Sequence, residues 1–128
     1  MTIARSTGVF IGTDDSTGST IANNATTVGS EVDVLGGTNS MGEMNAFLCF
    51  TGSGTTGTVD VKINVTRTTG VVYSQAAFSY SFAPISGTQK IPLGRIAAGR
   101  YMNAEVKNNG TGGNITNVTV GYELFKIT

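Results

Sequence analysis

Residues able to do chemistry are scarce in this chain, and their spacing favours no reaction. There is no histidine, which removes the commonest general base and the commonest metal ligand. His-dependent triads and the His-bound metal centre of cupin-like folds are excluded on that ground. Eight carboxylates remain for acid–base work: Asp14, Asp15, Glu31, Asp33, Glu43, Asp60, Glu105 and Glu123. A glycosidase needs two of them facing each other across a cleft, yet most fall in loops or at outward strand positions. The expectation is no enzyme, no catalytic residue and no cofactor.

Three local patterns could suggest otherwise. Asp14-Asp15, followed by Ser16, Thr17 and Ser19, offers hard oxygen ligands, but without the spacing of a calcium loop it reads as turn chemistry. Gly52-Ser-Gly-Thr-Thr-Gly57 matches the G-x-G-x-x-G dinucleotide pattern. That pattern binds a pyrophosphate only where a strand feeds a helix N-terminus; strand-like sequence flanks it here, so a hairpin loop is expected. Cys49 is the single cysteine, which excludes an internal disulfide, and its setting in Met44-Asn-Ala-Phe-Leu-Cys-Phe50 suits a small buried hydrophobe.

The elements that would position these residues are strands. Val59, Val61, Ile63 and Val65 alternate with Asp60, Lys62, Asn64 and Thr66, the period of a sheet with one buried face. Ala76, Phe78, Tyr80 and Phe82 share a register after the Arg67–Gly70 turn. Pro92 confines the segment from Thr88 to Gly94 to a sheet edge. Met102, Ala104 and Val106, then Val118, Val120, Tyr122 and Leu124, mark a closing hairpin about Asn108–Asn114, whose glycines and asparagines suit a reversal. Phe47 and Cys49 make their strand apolar on both faces, as in a central strand or one covered by another subunit.

About seven or eight strands at short intervals, with no helical period, predict an all-β protein: one antiparallel β-sandwich, jelly-roll-like or immunoglobulin-like. The predicted core is Val59, Val61, Ile63, Val65, Phe78, Tyr80, Met102, Val106, Val118, Val120 and Leu124. Residues 1–27 are the least strand-like and read as a polar N-terminal arm or extension, with the sandwich domain over residues 28–128.

The chain has 128 residues, a formal net charge of zero and only 12% charged residues. One domain with a hydroxyl- and amide-rich surface follows. No general attraction to nucleic acid or to an anionic membrane is expected. No apolar run reaches the ~20 residues of a membrane helix, and no signal-peptide core follows the N-terminus, so synthesis in a cytosol is expected. Charges are segregated: from Ser6 to Thr58 all are acidic, while basic residues predominate after Val59. Complementary surfaces meeting between copies would look like this.

The layout resembles the small capsid cement (decoration) proteins of tailed bacteriophages. The residues that carry the resemblance are Glu31-Val-Asp-Val-Leu-Gly36, the Gly-, Thr- and Val-rich strands after it, Ile91-Pro-Leu-Gly94, and Gly99-Arg-Tyr-Met102 with its closing strands. It covers roughly residues 28–128. It implies a homotrimer bound to the major capsid protein on the outside of a phage head made in the host cytoplasm, and reinforcing that head. The residues put forward for such an interface are Phe10, Asp14 and Asp15 of the N-terminal segment, Phe47 of the two-faced strand, and Arg95, Arg100 and Tyr101. Two alternatives stand beside it: another virion module, such as a tail, fibre or small coat protein, and a carbohydrate-binding sandwich using Tyr73 or Tyr101 to stack on a glycan.

Overall fold

Alternating apolar and polar residues carry most of this chain into strands. The structure, a computed structural model, describes residues 3–13, 17–37, 40–66, 68 and 76–127. Among the described residues ten strands run in order: β1 (Ile3–Ile11), β2 (Ser19–Ile21), β3 (Thr26–Val28), β4 (Val32–Asp33), β5 (Met41–Gly52), β6 (Thr58–Thr66), β7 (Ala76–Phe82), β8 (Gly87–Ala97), β9 (Tyr101–Asn109) and β10 (Ile115–Ile127). No helix occurs among the described residues, so none there is long and apolar enough to cross a membrane.

The strands form two antiparallel sheets. Sheet one has the order β1-β10-β5-β8, with β2 beside β10; sheet two has the order β3-β9-β6-β7, with β4 beside β9. Along the chain, β1 lies in sheet one, β3 in sheet two and β5 back in sheet one. Then β6 and β7 lie in sheet two, β8 in one, β9 in two and β10 in one. This repeated crossing between two layers, each with four principal strands and one short one, is the jelly-roll arrangement of paired Greek keys. An immunoglobulin-like layout would keep A, B and E together in one sheet and C, F and G in the other. The two strands beyond the expected seven or eight are the short β2 and β4.

Crossing also changes how two loops are read. β9 and β10 are in opposite sheets, so residues 110–114 arch over the end of the sandwich instead of closing a hairpin. The glycine-rich residues 53–57 do the same between β5 and β6. Alternation reports which face of a strand is buried but not which neighbour it pairs with, so both errors have one origin. The 110–114 arch is pinned from within. Buried Asn108 donates through Nδ2 to the carbonyls of Ile21 (3.0 Å) and Gly113 (2.7 Å), and its Oδ1 accepts from the Thr111 hydroxyl. Gly110 and Gly112 take φ of 72° and 89° there, angles that side chains disfavour.

The described residues of the first 27 are part of the sandwich. β1 pairs along β10 from Ile3↔Ile127 to Ile11↔Val120, and Phe10, Ile11 and Ile21 are buried in the core. The boundary expected at 27/28 falls inside β3. Residues 3–9 sit at an edge where one side is solvent, so their sequence shows weak alternation although each is a register partner of a β10 residue.

Most of the predicted core is buried: Val59, Val61, Ile63, Met102, Val106, Val118, Val120 and Leu124. Val65 and Phe78 pack against it half-buried. Tyr80 is the correction, at 59% exposed. It has the inward parity, opposite Val61, but β7 is the edge of its sheet and the facing layer does not cover it. Met44, Ala46, Leu48 and Phe50 complete the core from β5, which is flanked by β10 and β8 as a two-faced apolar strand should be.

Candidate functional site

The outer faces of the two sheets differ in chemistry. On sheet two, Asp60 stands opposite Lys107 and Lys62 opposite Glu105 across β6 and β9. Asn64 bridges Asn103 at 3.0 Å and Glu105 at 2.9 Å. Charged and amide side chains therefore dominate the described part of that face, as on an ordinary solvent face.

Sheet one is organised in rows across its strands. Ile3, Ile127 and Met41 are cross-strand neighbours on β1, β10 and β5. Met41 is 70% exposed and Ile3 62%. With Phe125, Ala97 and Leu35 they line an apolar groove of about 630 Å³ at one end of the sheet. The next two rows carry Arg5, Glu43, Glu123 and Arg95, joined as Arg5–Glu123 at 2.6 Å and Arg95–Glu43 at 3.6 Å. Beyond this belt comes a second apolar zone. Phe47 lies opposite Gly121 on one side and Pro92 on the other. Thr7, Asn45, Tyr122 and Glu123 complete a groove of about 690 Å³ there, with Cys49 and Lys90 beside it.

Side chains in these rows project from the same side of the sheet, so they present one surface: two apolar zones separated by a belt of ion pairs. Exposed ion pairs contribute ~0–1 kcal/mol each, so the belt adds little to the stability of the fold.

The residues put forward from the sequence fall in different places. Phe47 and Arg95 lie on the outer face of sheet one, one row apart. Phe10 is 4% exposed, with its ring 4.7 Å from that of Tyr122, which places it inside the chain's own core. Arg100 and Tyr101 are at the start of β9 in sheet two. The Arg100 guanidinium lies 4.9 Å over the Tyr101 ring, and its Nε is 3.7 Å from Asp33, an ion pair too long to be a hydrogen bond. Asp14 and Asp15 lie outside the described residues, as does Tyr73. Among the described residues the segregated charges meet within one chain at Asp33 with Arg100 and at Glu43 with Arg95. Among the described residues no three Asp, Glu or Cys side chains gather as metal ligands would.

Ile3, Met41, Phe125 and Ile127 were missed by sequence reasoning. The available signal was parity: Phe125 and Ile127 continue the last strand at outward positions yet are apolar. Register was needed to see that Ile3 and Met41 stand beside them.

No family model and no curated protein matches the chain. Among solved structures it is similar to a chain in the "Structure of infectious bursal disease virus Gx strain". The TM-score is 0.56 at 11% identity, over 96% of this chain and 32% of that one. At that identity the likeness is one of fold.

Proposed function

We propose that this chain is a non-enzymatic structural protein of a virion, and within that class a capsid cement protein. The observation that carries the reading is the jelly-roll connectivity, similar over nearly the whole of this chain to a chain from a virus structure. The outer face of sheet one is the surface set against the shell protein. Its apolar zones supply the desolvated area and the Arg5–Glu123 and Arg95–Glu43 belt fixes orientation. Association of copies, as a trimer, multiplies weak individual contacts around a symmetry axis. The location is the outer surface of a phage head, reached after synthesis in the host cytoplasm, with no role for nucleic acid or membrane.

Genome release on heating tests reinforcement directly. Phage heads saturated with the chain should release their DNA at a higher temperature than bare heads, and Met41→Lys should abolish the difference while the chain stays folded. Equal release temperatures with bound chain would refute reinforcement.

A second reading, a small coat protein that itself builds the shell, draws on the same fold likeness. It predicts closed particles from the purified chain alone, which electron microscopy would reveal.

A further inference from the structure

Four edges border the two sheets: β1 and β8 in sheet one, and β7 and the β3–β4 side in sheet two. An unpaired edge presents free N–H and C=O groups that template another strand, so folded chains protect it. Three of these edges are protected. β8 carries Lys90, Pro92 and Arg95, and its register shifts opposite Ala46 and Phe47. β1 carries Arg5 and a shift between Val9 and Ile11. β3 and β4 are three and two residues long. β7 has none of these devices over residues 78–82: no charge, no proline and no shift, its one irregularity lying at Ala77. Among the described residues nothing pairs with its outer edge.

The sequence of that edge adds a second property. Residues 78–82 read Phe-Ser-Tyr-Ser-Phe, the same in both directions about Tyr80. An antiparallel pairing about a two-fold axis through Tyr80 sets Tyr80 opposite the partner's Tyr80, Phe78 opposite the partner's Phe82, and Ser79 opposite the partner's Ser81. Opposed residues share a face, so aromatic meets aromatic and hydroxyl meets hydroxyl, the pairings that favour adjacent strands. The aromatic side is open, with Tyr80 59% exposed and its ring 4.8 Å from that of Phe82.

We propose that β7 is a strand-addition edge for a second copy of this chain, joining sheet two of both copies into one continuous sheet across a two-fold axis. The contact is separate from any three-fold association and does not depend on the shell reading. A five-residue pairing buries less than the ~1,200–2,000 Å² of a standard interface. It is therefore weak between free copies and strong where copies are held side by side.

Disulfide trapping tests it on the free chain. In Tyr80→Cys the paired Cα atoms would be about 4.5–5.5 Å apart, inside the ~4.4–6.8 Å range of disulfides. In Ala77→Cys the equivalent atoms would be about 20 Å apart, at ~3.4 Å per residue along the strand. Buried Cys49 is common to both. Oxidation at high protein concentration should give a linked dimer from Tyr80→Cys at ten times or more the yield from Ala77→Cys. Adding Ser79→Lys to Tyr80→Cys should cut that yield at least tenfold with no change in melting temperature. Equal yields from the two cysteine variants, no dimer from Tyr80→Cys, or no effect of the lysine would each overturn the proposal. Pairing of β7 with an unlike protein would give no Tyr80→Cys dimer and so counts against it.

Discussion

The Phe47 ring occupies the space that a side chain on Gly121 would need, and the two residues are register partners on β5 and β10. A bare glycine in the middle of a sheet leaves a gap, and an aromatic ring laid across it restores the packing. Gly121 therefore lets Phe47 lie down on the outer face of sheet one, where it forms the floor of the second apolar zone.

Gly121→Ala should displace that ring and cost about 1–3 kcal/mol, the range for overfilled packing. In a Phe47→Ala background the same change should cost less than half as much, since nothing remains to be displaced. Urea unfolding of the four proteins of the cycle measures this coupling.

Ile63 and Tyr80 share inward parity on paired strands but not burial, at 0% and 59% exposure. Ile63→Ala should cost about 2–5 kcal/mol, and Tyr80→Ala less than about 1 kcal/mol. Guanidinium melts of the two variants would show the difference, and equal losses would mean that β7 is covered.

Removing residues 1–11 should not leave an intact core. It takes Phe10 from beside Tyr122 and strips β1 from the edge of β10. Emptying one Phe site alone costs about 3–5 kcal/mol, so the truncated chain should be unfolded or aggregated. Circular dichroism of the soluble fraction is the check.

Burial raises the Tyr122 hydroxyl above its ordinary 10.0. The fold favours the neutral form, so this contribution is whole below the unfolded value near 10 and is lost as pH rises through the higher folded value. Stability of the parent relative to Tyr122→Phe should therefore fall above pH 10. Denaturant midpoints of both proteins across that range test the sign.

Layer architecture was legible in the sequence because alternation is a local signal: Val59 to Val65 and Val118 to Leu124 point inward as their parity requires. Pairing was not legible, since nothing local tells β9 that its chain neighbour β10 belongs to the other sheet. Edge status is also hidden from alternation, which sets Tyr80 inside and leaves β1 looking like an arm. Phe47 was found because a two-faced apolar strand stands out without knowledge of its partners. The Ile3–Ile127–Met41 row joins residues from opposite ends of the chain and the middle, and only register brings them together.

Cosedimentation of the purified chain with intact phage heads tests the central claim most directly. Saturable pelleting at a fixed number of copies per head is expected, lost in Met41→Lys with the fold retained. A chain that stays in the supernatant with every head offered, at concentrations well above micromolar, would contradict it.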